Sequence, residues 1–257
     1  MKHAALIMLL CSLMLFTGQS LPVMYCHAES RMPDSFEDVK ARIPSILLDM
    51  RYYGPHNFIG ERIEGYNAPK CLLTKEAAAA LAMVQKELEA QSLSLKVYDC
   101  YRPQRAVDHF VRWAQDMNDT KTKKEFYPTI KKRDLLRKAY IGARSGHSRG
   151  SSVDLTIVPL PASEEPTYQP GDALYECYLP AEKRFQDNSL DMGTGFDCFH
   201  ERSHTTNRKP GEKHMRNRLL LKNIMEKHGF KGYRREWWHY TLRREPFPKT
   251  YFDFAIE

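Results

Sequence analysis

Long apolar runs are scarce in this chain. The longest, Ala4 to Phe16, falls short of the roughly 20 apolar residues that cross a bilayer, so no transmembrane helix is expected. No Lys/Arg block is long enough to serve as a nucleic-acid arm. The densest, Lys131 to Lys138, is broken by Asp134, Leu135 and Leu136. The formal charge of +7 is therefore read as solubility, and no nucleic-acid partner is expected. There is no internal repeat and no low-complexity tract, which excludes a solenoid or a disordered chain. What remains, 257 residues with 42% hydrophobic and 28% charged, suits one globular domain or at most two.

The first 28 residues have the pattern of an export signal. Lys2 and His3 form a short basic start, Ala4 to Phe16 matches an h-region, and cleavage is expected after Ala28 or Ser20. An uncleaved anchor is the alternative. A lipoprotein signal is disfavoured because Tyr25, before Cys26, is too large. The expected product is a single domain over 29–257, periplasmic or secreted, with no stable membrane insertion. Of the six cysteines, Cys11 and Cys26 leave with the signal, and Cys71, Cys100, Cys177 and Cys198 stay. An even number in an exported chain favours disulfides. Three pairings are possible. Cys71 with Cys100 and Cys177 with Cys198 is preferred, since the second pair would close one insertion-like loop. Four buried thiols are the alternative.

Residues 29–73 read as irregular, with Pro33, Pro44, Pro55 and Pro69 as breakers. Thr74 can cap a helix over 75–91, whose Ala77, Leu81, Val84 and Leu88 have helical spacing. Leu93, Leu95 and Val97 then alternate as in a strand, which runs into Asp99-Cys-Tyr-Arg102-Pro103. A second helix is expected over 104–117, a charged loop over 118–133 and a short helix over 134–140. Asp154 lies in a strand with Val153, Leu155 and Ile157 facing the core. The stretch 159–191 reads as a long surface insertion. A helix over 217–227 ends at Gly229, a strand or bent strand spans 233–242, and Tyr251 to Phe254 form an aromatic tail.

Ser145 to Asp154 carries His147 and Asp154 on either side of a bend at Gly150. With His239 these supply two imidazoles and a carboxylate. That donor set suits a single zinc ion per chain, with one position left open for water. Glu236 lies three residues before His239, so on a straight strand the two would face opposite ways. Only a bent backbone would let Glu236 act as the base. Arg102 offers a fixed cation to a developing oxyanion. A competing motif is His200-Glu-Arg-Ser-His204, an H-E-x-x-H. It needs a helix, whereas Gly193, Gly195 and Pro210 around it argue for a polar loop.

Several of these pieces together resemble the D-alanyl-D-alanine dipeptidases, the VanX-type branch of the D-Ala-D-Ala metallopeptidases. They are Asp99-x-Tyr-Arg-Pro103, the S-x-H-x-x-G-x-x-x-D run from Ser145 to Asp154, Phe196-Asp197, Glu201-Arg-Ser-His204 and Glu236-Trp-Trp-His-Tyr240. The resemblance extends from Asp49 to Phe254. It implies an α+β, hedgehog-like fold: a small, mostly antiparallel sheet flanked by helices, with the zinc site at one end of the sheet. It implies zinc on His147, Asp154 and His239, Glu236 as base and Arg102 as the transition-state arginine. Asp197 would bind the substrate's ammonium, Ser145 its other end, and Asp99 would orient Arg102. The H-E-x-x-H becomes incidental, with His204 in a structural hydrogen bond. The activity implied is hydrolysis of the small dipeptide D-Ala-D-Ala. A D,D-carboxypeptidase or endopeptidase on wall peptides is an alternative, as is a non-catalytic zinc-binding module. Oligomeric state is not legible. The chain departs from short members of that family in its export signal and in the longer 159–191 segment with Cys177.

Overall fold

A computed structural model describes residues 31–164 and 166–257. The expected export signal, with Cys11 and Cys26, lies outside the described residues. Among those described, no helix is long and apolar enough to cross a membrane.

The architecture is α+β. Five strands form the main sheet in the order β2–β4–β5–β7–β6: β2 Leu47–Leu48, β4 Leu93–Asp99, β5 Ser152–Pro159, β6 Phe230–Gly232 and β7 His239–Leu242. Only the β2–β4 pair is parallel; the other three are antiparallel. A separate antiparallel pair joins β1 Phe36–Asp38 to β3 Leu72–Thr74.

Helix α2, Lys75–Glu89, packs against β4. The Thr74 hydroxyl accepts from the Ala77 amide at its start, as expected of an N-cap. Its Leu81, Val84 and Leu88 are fully buried. Burying each contributes roughly 1.5–3 kcal/mol. They meet a core that includes Leu95 and Val97 of β4 and Leu155 and Ile157 of β5. Helix α3, Gln104–Gln115, buries Val107, Phe110 and Ala114 on one face. The C-terminal tail packs beside it: Phe254 stacks on Tyr101 at 4.1 Å, and Phe252 donates its amide to the Ser148 carbonyl.

Several local expectations are corrected. Residues 29–73 are not wholly irregular: they contain β1, β2 and the one-turn α1, Val39–Arg42, each too short to show a period. The stretch 118–133 includes a single helical turn, α4 Lys123–Phe126. No helix forms over 134–140; a 3-10 turn ends at Asp134. Helix α5 begins at Glu212, five residues earlier than its apolar spacing suggests, and runs to Lys227. Its polar first turns are held by Arg218, a buried guanidinium that donates to the carbonyls of Met192, His204 and Arg202. Residues 233–238 are not strand: they form the loop of the β6–β7 hairpin.

Beyond Pro159, which ends β5, the described residues of the 159–191 stretch carry no strand and only a 3-10 turn at Ala181–Lys183. Its far end is anchored through Asp187, which lies 3.7 Å from Arg51 and accepts from the Tyr98 hydroxyl.

Candidate active site

The sheet register explains why distant residues meet. Across β4, β5 and β7, Asp99 pairs with Asp154, and Asp154 pairs with His239. The row therefore sets three side chains side by side at one end of the sheet. A register irregularity between Val97 and Asp99 brings the last residue of β4 into that row.

His147 comes from a 3-10 turn, Gly146–Arg149, just before β5. The Ser145 hydroxyl caps this turn by accepting from the His147 amide at 3.2 Å. Gly150 ends it with φ +78°, and a Cβ there would lie 2.2 Å from the Phe36 ring, so only glycine fits.

Three donor atoms converge. His147 Nε2 and His239 Nδ1 are 3.0 Å apart, His239 Nδ1 and Asp154 Oδ1 3.0 Å, and His147 Nε2 and Asp154 Oδ1 3.3 Å. Four-coordinate zinc, with bonds of about 2.0–2.1 Å, holds its ligands roughly 3.3–3.4 Å apart. The triangle is thus close to the size a small dication needs. Among the described residues, this is the cluster of His, Cys, Asp and Glu able to hold a metal.

Both rings are oriented from behind. His147 Nδ1 donates to the Cys100 carbonyl at 2.6 Å and lies 3.3 Å from Asp99, which leaves Nε2 with its lone pair facing the cluster. His239 Nε2 sits 3.3 Å from the Thr241 hydroxyl, itself bonded to Ser152 at 2.7 Å, so Nδ1 faces inward. Burial alone would raise the Asp154 carboxyl, but the His147 and His239 imidazoles outweigh it and hold it well below the usual carboxylate range.

The cluster opens on a cavity of about 360 Å³. Glu236, Arg102, Asp197 and Ser145 all line it. Glu236 sits in the hairpin loop, where its amide bonds the Tyr233 carbonyl, and its Oε2 is 4.0 Å from His239 Nδ1. The bend needed to bring both side chains together is this turn. Burial pushes the Glu236 carboxyl up to about 7, with the Asp154 charge adding to it and His239 and Arg102 opposing. Asp99 lies behind the cavity, fully buried. It receives two bonds from Arg102, at 2.8 and 3.0 Å, and one from the Tyr66 hydroxyl at 2.6 Å. The Arg102 guanidinium also packs on Tyr52 and Phe110. Asp197 is buried in a left-handed turn, φ +54°, and accepts from the Tyr52 hydroxyl at 2.7 Å.

Residues that sequence reasoning passed over also line the cavity. Tyr52 joins Asp197 to Arg102, and Tyr233 lies 5.9 Å from the His239 ring. An isolated tyrosine carries no spacing signal, so nothing in the pattern could single them out. The H-E-x-x-H does not form a second centre. His200 and His204 flank a 3-10 turn, Glu201–Ser203, instead of sharing a helical face. Glu201 instead pairs with Lys209. The expectation of a structural hydrogen bond from His204 is corrected too: its Nε2 is buried without a partner.

The four cysteines among the described residues form two bridges, Cys71–Cys100 and Cys177–Cys198, which suit an oxidising compartment. The family pattern described as D-ala-D-ala dipeptidase matches residues 32–164 and 179–257. A D-alanyl-D-alanine dipeptidase of Streptomyces coelicolor is 39% identical over 225 residues, which cover 88% of this chain and all of that protein. One of Enterococcus faecalis is 36% identical over the same shares. One of Escherichia coli K12 is 32% identical over 82% of this chain and 87% of that protein. Similarity of that depth and extent, carried over nearly the whole described chain, means that the protein belongs to the D-ala-D-ala dipeptidase family.

Proposed function

We propose that this protein hydrolyses the dipeptide D-alanyl-D-alanine to two D-alanines, with one zinc ion held by His147, Asp154 and His239. The observation that carries the reading is the donor triangle of 3.0–3.3 Å opening on a cavity with Glu236 4.0 Å from one ligand atom. Zinc in such a site acts as a Lewis acid and brings the pKa of a coordinated water to about 7.

The chain's own residues do the rest. Glu236 takes a proton from the attacking water and passes it to the leaving amine. Arg102, fixed by its two bonds to Asp99, faces the carbonyl oxygen as it gains charge. Asp197 pairs with the substrate's free ammonium, and Ser145 helps hold the carboxylate end. A buried carboxylate reserved for an ammonium rejects a peptide extended on that side, because the charge would be left unpaired. The non-catalytic alternative leaves Glu236 and Arg102 in the cavity without a task.

The leader-like first 28 residues and the two bridges support export, and hence action beside the cell wall. The stretch 165–178, outside the family match, supports reading part of 159–191 as an insertion.

The test is an assay of the zinc-loaded protein on free and N-acetylated D-Ala-D-Ala and on a pentapeptide stem. Cleavage of the free dipeptide alone is expected. Release of D-alanine from the stem at a comparable rate would make the protein a D,D-carboxypeptidase instead.

A further inference from the structure

Asp197 has an unusual backbone. It is a non-glycine residue at φ +54°, a conformation uncommon among side-chain-bearing residues though one that aspartate tolerates, and here its neighbours hold it. The enforcement comes largely from one side. Cys198, the next residue, is bridged to Cys177. Two residues before Asp197, the Gly195 amide bonds the Cys177 carbonyl at 2.8 Å. Cys177 is itself fixed, since its amide bonds the Glu125 carbonyl at 3.1 Å. The same short segment that ends in α4 also receives the Phe199 amide, on the Phe126 carbonyl at 2.8 Å. Both sulfurs are buried, so the bridge is part of the wall behind Asp197 and not a surface clip.

Cys177 lies in the stretch 165–178 that the family pattern passes over, whereas Asp197 and Cys198 lie inside the matched region. The bridge therefore couples a segment outside the family match to the residue proposed to select the substrate's amino end.

We infer that the Cys177–Cys198 bridge is a specificity device: it positions Asp197 so that its carboxylate meets a free ammonium. The inference rests on the proposed reading of Asp197. Without the bridge, the turn loses the covalent tie one residue away, and the backbone bond from Gly195 to the Cys177 carbonyl is left to hold the two segments together at that point. The Tyr52 bond at 2.7 Å then remains as the side chain's own restraint. A carboxylate displaced by about 1 Å leaves the roughly 2.7–2.9 Å reach of a charge-assisted hydrogen bond to the ammonium, which weakens binding. The zinc ligands come from β5, β7 and the 147 turn, which the bridge does not touch, so metal affinity is not expected to change.

The experiment compares wild type with C177A/C198A on free and N-acetylated D-Ala-D-Ala, alongside zinc affinity by chelator competition. The expected result for the variant is a KM for the free dipeptide raised at least about tenfold with kcat little changed, the signature of lost ground-state binding. The free-to-blocked ratio of kcat/KM should fall with it, and zinc affinity should stay the same. A lower Tm with an unchanged ratio would show a merely structural bridge and overturn the inference. If the variant does not fold, the wild-type protein is titrated with a dithiol and bridge occupancy is followed by mass spectrometry. The ratio must then fall as the 177–198 bridge opens; a constant ratio overturns the inference. Failure of wild type to prefer the free dipeptide would instead sink the reading of Asp197 itself.

Discussion

Replacing Glu236 by Gln should remove activity and stabilise the metal-free protein at the same time. The amide keeps the size of the side chain but cannot accept a proton. Loss of a general base lowers turnover by roughly 100- to 10,000-fold. Glu236 is not one of the three converging donors, so E236Q should still take up one zinc per chain, with affinity lowered only by the lost attraction between the carboxylate and the ion.

The stability effect follows from the carboxyl being pushed from 4.5 to about 7. The sign is fixed by linkage. Between those values the folded protein holds a proton that the unfolded chain has released, so stability falls as pH rises through this window. Full conversion of the shift would give roughly 3 kcal/mol at 1.36 kcal/mol per pKa unit. A quarter of the side chain is exposed, however, and solvent screening reduces the figure to about 2 kcal/mol. E236Q should therefore raise the Tm of the metal-free protein by about 4–8 °C at pH 8 and by almost nothing at pH 4. Zinc, placed close by, favours the ionised carboxylate, so the gain should shrink when the metal is bound. The assays are single-turnover hydrolysis and calorimetry with and without metal. Wild-type turnover in E236Q, or an equal Tm gain at pH 4 and pH 8, would refute the assignment of Glu236 as a buried base.

Replacing His200 or His204 by Ala should leave zinc stoichiometry at one per chain, while H147A should abolish it; inductively coupled plasma spectrometry of dialysed protein distinguishes them. D187N should destabilise the fold by about 2 kcal/mol at pH 7. Burial opposes ionisation of Asp187, but the Lys96 and Arg51 charges win and hold its carboxyl down to about 2, and that stability should be present above pH 4 and fade as pH falls toward 2. Urea unfolding of wild type and variant at pH 7 and pH 3 measures it, and equal gaps at both would contradict the linkage. G150A should cost about 2–5 kcal/mol, from left-handed strain plus overlap with the Phe36 ring, and should loosen His147 enough to weaken zinc binding. Undiminished zinc affinity in a destabilised G150A would separate the turn from the metal site.

The parts legible in the sequence were those with a long period or a capping signal. The apolar spacing of Ala77 to Leu88, the Thr74 cap and the alternation around Leu95 and Ile157 each gave an element close to where it lies. The strands of two or three residues near the N-terminus are too short to show alternation; they exist because β3 and β4 offer them an edge. The start of helix α5 is not legible in the sequence because its first turns are held by buried Arg218 and not by an apolar stripe. His147, Asp154 and His239 were legible as a donor set, but their meeting depends on sheet register, which no local pattern encodes. Glu236 posed the one geometric conflict, opposite faces on a straight strand, and the hairpin loop resolves it. Tyr52 and Tyr66 became visible only through the acids they bond.

Charge ties these observations together. Four acids crowd the region around the cavity: Asp99, Asp154, Asp197 and Glu236. Arg102 is the guanidinium that bonds one of them directly and approaches another at 3.6 Å. In the absence of other cations the imbalance has to be relieved by protons. Burial and the neighbouring Asp154 charge accordingly push Asp197 well above the carboxylate range and Glu236 up to about 7. A dication on the donor triangle and the ammonium of a dipeptide bring three positive charges. With Arg102 these balance the four carboxylates, and Asp197 and Glu236 can then be ionised, the state each needs for its proposed task. The substrate's own carboxylate adds one negative charge, and it is proposed to sit by Ser145, next to exposed Arg144 on the cavity wall. A longer peptide, neutral at the blocked amine, would bring no cation to Asp197, leaving it protonated, or ionised without a counter-charge, and in either state without the ion pair. On this reasoning the same surplus of acid that makes the metal bind also makes the site prefer a dipeptide, so metal loading and substrate length selection should respond together when Asp197 is replaced by Asn: zinc affinity should fall modestly, and the preference for the free amine should fall much more.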